Sequence, residues 1–112
     1  MAYDEDLADR IRGLIAEEEE GVTEQRMFGG LAFLIGGNMS VAASGQGGLL
    51  VRVDPDEGET LLDAPHVEPM VMRGRPMAGW LRVGSDAVPT DAELEPWVRR
   101  GVAYARSLPA KG

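Results

Sequence analysis

Cysteine is absent from the chain. Its absence removes a disulfide framework, a thiolate nucleophile and a cysteine-ligated zinc, so stability has to come from packing. Cations are scarce as well: 11 Lys+Arg stand against 19 Asp+Glu, for a formal net charge of −8, and Lys111 is the only lysine. Binding to a phosphate backbone requires a surplus of positive charge, so direct, sequence-independent contact with nucleic acid is disfavoured. With two each of Phe, Tyr and Trp, the interior falls to aliphatic residues and to six methionines, which fill irregular gaps well. No apolar run approaches a membrane span, and the amino-terminal Met1–Asp6 is acidic where a secretory signal would be basic. A cytoplasmic protein is the expectation.

What is present fits one domain, because 112 residues suffice for a single core and not for two comfortable ones. Asp4–Glu20 reads as an amphipathic helix with Leu7, Ile11, Leu14 and Ile15 on one face. The run Glu17–Glu20 opposes the helix dipole at its carboxyl end and predicts a solvated, frayed last turn before Gly21. Val22–Val53 then breaks into short apolar runs divided by glycines, the pattern of an antiparallel meander of four strands. Its expected faces are Leu31/Phe33/Ile35, Met39/Val41/Ala43 and Leu49/Val51/Val53, with smaller or polar residues opposite, hence one covered face and one wetter face. Asp54-Pro55-Asp56-Glu57 carries a helix start, with Asp54 as cap, Pro55 at the first helical position and Glu57 reaching back. Met70–Arg73 and Trp80–Val83 read as two further strands on either side of Gly74–Gly79. Thr90-Asp91-Ala92-Glu93 opens a last helix whose Leu94, Trp97, Val98, Gly101, Val102, Ala105 and Leu108 share a face, and Pro109 ends it. The order α-β(4)-α-β(2)-α predicts an α+β two-layer sandwich, a mostly antiparallel sheet with its helices on one face.

The doubled glycines resemble neither a phosphate loop nor a dinucleotide fingerprint. Those need backbone amides converging where a strand hands over to a helix, whereas Gly29-Gly30, Gly36-Gly37 and Gly47-Gly48 lie between strand-like runs. Gly36-Gly37-Asn38 reads as a hairpin turn, and Gly29-Gly30 as a bulge or a close backbone approach. His66 is the only histidine and has no second partner at general-base or metal-ligand spacing; Ser40, Ser44, Ser85 and Ser107 lack a nucleophile-elbow setting. The residues therefore mark no catalytic, cofactor or metal set, and the chain reads as a non-enzyme. The residues left to consider for a partner or ligand surface are Arg26, Met27, Phe28, Gly29 and Gly30 in one stretch, and Arg73, Arg75, Pro76, Met77 and Trp80 in another. Their arginines could converge on a small anion or metabolite, and their apolar members on a protein.

Three stretches, Arg26–Met39 (RMFGGLAFLIGGNM), Gly74–Val83 (GRPMAGWLRV) and Trp97–Pro109 (WVRRGVAYARSLP), resemble the amino-terminal domain of the TfoX/Sxy family of bacterial competence regulators. The resemblance covers nearly the whole chain, in the family's order. It implies an α+β sandwich like that of secretion chaperones, and a role in transcriptional regulation, where full-length members assist the cyclic-AMP receptor protein. Full-length members add a helical second domain; this chain is expected to be a single amino-terminal-type domain over 1–112. A protein partner is implied, with a homodimer as a further expectation. No established catalytic residue carries over from the family.

Overall fold

The computed structural model describes residues 4–18, 21–27, 29–45 and 47–109, with Glu18 and Met72 described by their backbone alone. Their order is α1 (Glu5–Glu18), β1 (Thr23–Met27), β2 (Gly30–Ile35), β3 (Asn38–Ala43), β4 (Leu49–Arg52), α2 (Pro55–Leu61), β5 (Val67–Met72), β6 (Arg75–Val83), a single 3-10 turn at Ser85–Ala87, and α3 (Asp91–Ser107). The strands form one antiparallel sheet in the order β1-β2-β3-β4-β6-β5, so β6 inserts between β4 and its own hairpin partner β5. This is the α+β sandwich that the pattern predicts. No helix among the described residues is long and apolar enough to cross a membrane.

The helices begin and end for local reasons. In α1 the Asp4 carboxylate accepts from the Leu7 amide at 3.1 Å, and Leu7, Ile11 and Ile15 are buried on the sheet side. Of the expected frayed turn over Glu17–Glu20, Glu17 and Glu18 are helical and Glu19-Glu20 lie outside the described residues. Asp54 caps α2 by accepting from the Asp56 amide at 2.9 Å, with Pro55 in the first turn. At α3 the expected capping box closes differently: Thr90 Oγ1 donates to the Glu93 carboxylate at 2.9 Å, and neither side chain takes the backbone amide of the other.

Leu31, Phe33, Ile35, Val41, Ala43, Leu49, Val51, Val53, Leu81 and Val83 form the helix-facing side of the core, under Ile11, Leu94, Val98 and Val102. The other face is wet only at its margins, where Gln25 and Glu68 are exposed. It holds a second cluster, Ala32, Leu34, Met39, Ala42, Leu50 and Met70, to which no described helix contributes and against which Met27 and Trp80 pack. Met39 belongs here and not beside Val41. The cause is a bulge: Phe33 pairs with Val41 and Leu34 with Met39, which leaves Ser40 unopposed and reverses the facing of the residues before it. Ser40 is buried and its hydroxyl donates to the Phe33 carbonyl at 2.8 Å, while α3 crosses directly above, its Gly101 leaving no room for a Cβ beside the Ser40 carbonyl.

Two turns answer the question posed by the glycines. Gly36 and Gly37, with φ of 59° and 82°, make the two-residue reversal between Ile35 and Asn38. Gly30 lies so close to the Ala43 carbonyl and the Gly45 amide that a side chain could not be placed there. Both positions serve chain geometry.

Candidate functional site

The Arg75–Gly79 stretch, expected as a connection, is strand. The turn between β5 and β6 is only Arg73-Gly74, with φ of 53° and 77°, and β6 runs from Arg75 to Val83. The irregularity sits inside the strand instead: Pro69 pairs with Leu81 but Val71 with Pro76, so Met70 alone faces the four residues from Met77 to Trp80. Gly79, at φ 82°, makes the bend. Its carbonyl accepts from the Val53 amide at 2.7 Å, just past the end of β4.

Helix α2 lands on that bend. A Cβ on Gly58 would lie 3.4 Å from the Gly79 Cα and 3.4 Å from the Val53 side chain, so backbone meets backbone across the helix–strand contact. Beside the contact runs a groove of about 350 Å³, walled by Pro55 of α2 and Leu62 just past its end, Pro69 from β5, and Pro76, Met77 and Trp80 from β6. Three prolines and a glycine-to-glycine contact hold this backbone with little freedom, which lowers the entropy lost when something seats there. Glu59 is the one ionisable residue on its wall.

Trp80 is fixed from behind. It packs on the second cluster, and the Arg52 guanidinium lies 5.0 Å from its ring centroid and 5.6 Å from that of Tyr104 on α3. A larger concavity of about 510 Å³ opens between the start of α2 and the outer side of α3, bordered by Asp54, Glu57, Arg99, Arg100 and Tyr104. Its charges are of both signs and partly engaged: Arg99 pairs with Glu95 at 2.9 Å, and Arg100 stacks 4.8 Å over Trp97.

Pro76, Met77 and Trp80 are thus brought into one groove, and Met27 shares with Trp80 the cluster on the helix-free face. Arg26 stands on edge strand β1, whereas Arg73 and Arg75 occupy the hairpin at the opposite edge, with β2, β3 and β4 between. The strand order therefore does not gather the three arginines. Gly29, at φ 73°, lies in the β1–β2 turn, Gly30 opens β2 opposite Met27, and Phe28 lies outside the described residues. His66 is exposed in a loop at φ 64°, its carbonyl accepting from the Gly84 amide at 2.8 Å. Sequence reading missed the α2 wall of the groove. A glycine inside a helix is a signal for it, since Gly58 costs about 1 kcal/mol of helix propensity and implies a packing reason.

A two-pronged ion pair lies toward the opposite edge of the sheet. Arg12 of α1 donates to both carboxylate oxygens of Glu24 on β1, at 2.7 and 2.9 Å, and also binds Asp9. The hydrogen bonds from Arg12 hold the Glu24 carboxyl below its ordinary range, and those to Glu24 raise the guanidinium of Arg12.

Residues 14–105 match the family model described as the TfoX N-terminal domain. Comparison with curated proteins and with solved structures found no match.

Proposed function

The chain belongs to the TfoX N-terminal domain family, and from that premise we propose that it is a cytoplasmic, non-enzymatic adaptor domain that regulates transcription by holding a protein partner. The observation that carries this reading is the groove between α2 and β6. It is concave, chiefly apolar and firmly backed, and it is built from the Arg75–Trp80 stretch that the family resemblance singles out. Such a surface fits a few apolar side chains of another protein, where a buried anchor supplies most of the binding energy.

The test is a paired one. The native-host strain lacking the gene is complemented with the unmodified chain or with Met77→Glu, which puts a charge on a half-buried wall residue. The unmodified chain is expected to restore the altered transcript profile and to co-purify reproducibly with one partner. Met77→Glu is expected to fold, by circular dichroism, and to weaken that partner's binding by roughly tenfold or more. A folded Met77→Glu chain that restores transcription and retains the same partner as well as the unmodified one would overturn the proposal, as would a deletion that changes no transcript.

A further inference from the structure

The sheet has two edges, and they differ. On β5 the edge carries Pro69, which has no N–H to offer, and its pairing with β6 is interrupted at Met70. On β1 the five residues Thr23-Glu24-Gln25-Arg26-Met27 pair without interruption to β2 on one side. Four of the five are exposed, and no described strand pairs with the other side of β1.

The side chains of β1 are arranged as a palindrome of charge. Reversed about Gln25, the strand sets Glu24 opposite Arg26 and Arg26 opposite Glu24. Both lie on the helix-facing side, because Glu24 is opposite Phe33 and Arg26 opposite Leu31. The charges also need completing. Within one copy, among the described residues, Arg12 alone serves both Asp9 and Glu24, two carboxylates to one cation. Arg26 has no ion-pair partner among the described residues and is exposed. A second copy in antiparallel register would bring its Arg26 beside that cluster, making two cations to two anions, and would receive the same in return.

We propose that β1 is a self-recognition edge: two copies of this chain pair antiparallel through Thr23–Met27 about Gln25, joining their sheets into one. The occupant is a second copy because the Glu24/Arg26 pattern complements its own reverse, which another strand would match only by coincidence. Five residues a side bury less than a standard interface, so the dimer exchanges with monomer and is concentration-dependent. It uses no residue of the α2–β6 groove, and either inference can fail while the other stands.

Sedimentation velocity on the full chain over a concentration series tests it. The unmodified chain is expected to show reversible dimerisation. Arg26→Glu sets like charges opposite each other twice, and Glu24→Arg does the same with the other sign; each is expected to weaken the dimer roughly a hundredfold, at about tenfold per symmetric contact. Mixed in equal amounts, the two variants place two carboxylates opposite two guanidiniums and are expected to form a heterodimer. Melting curves establish that each variant is folded; if Glu24→Arg is not, Arg26→Glu alone decides. An unmodified chain that stays monomeric overturns the proposal, as do single variants that dimerise as tightly as the unmodified chain, or folded variants that fail to recover on mixing.

Discussion

The two faces of the sheet each carry a buried apolar cluster, yet the clusters are closed by different means. The helix-facing side is sealed by α1 and α3, whose Ile11, Ile15, Leu94 and Val98 sit on Phe33, Val41 and Leu49. On the far side no described helix contributes, and the cluster is built from strand residues, with small alanines in β2 and β3 and with methionines and Trp80 toward the margins. Branched and aromatic side chains pack rigidly between two preformed layers, whereas thioethers adapt to a surface that bends at bulges. Stiffness therefore belongs to one face and adaptability to the other, and the groove opens where the bent strand meets α2.

That contrast predicts a graded response to substitution. Phe33→Ala, which empties a fully buried site under the helices, is expected to cost about 3–5 kcal/mol in chemical denaturation, enough to threaten folding. Met39→Ala, across the sheet, should lie at the low end of about 2–5 kcal/mol because its neighbours can relax; an equal cost at both positions would erase the distinction between the faces. Next in size is the contact between the layers. A Cβ at Gly101 would stand 2.5 Å from the Ser40 carbonyl oxygen and 2.8 Å from the Val41 side chain, so Gly101→Ala is expected to lower stability by about 1–3 kcal/mol. Gly13→Ala in α1, with nothing within 4 Å, should instead raise it by up to about 1 kcal/mol.

The smallest effect lies at the rim of the helix-covered face. Glu24, held below its ordinary range by Arg12, contributes stability above its unfolded pKa and loses it as pH falls through the lower folded one. The pair is exposed, so Glu24→Gln should cost less than about 1 kcal/mol at neutral pH. The difference from the unmodified chain should vanish in strong acid, where a protonated Glu24 is as neutral as the glutamine that replaces it. A gap that persists there would mean that the pair is not its source.

The element order was legible because each element carries its own signal: a helical stripe in Leu94–Ala105, a cap at Asp54, a turn at Gly36-Gly37. The far face was not legible, since alternation assumes an unbroken ladder, and one unopposed residue at Ser40 was enough to turn Met39 over. Nor could local pattern reveal that β6 lies against β4, which depends on a pairing remote in sequence. Pro76 and Gly79 suggested a loop, and the strand accommodates them through a bulge that tertiary contact with Val53 and α2 maintains. The groove escaped for the same reason. Its walls come from three separate elements, and only Gly58, an odd residue for a helix, hinted that something approaches there. The motifs themselves were visible, but their grouping was a property of the sheet.

Arg52 is rooted in the sheet yet is gripped by one ring from the bent strand and another from the last helix. Trp80 lines the groove and Tyr104 borders the concavity beside α3, so a single guanidinium underpins both depressions.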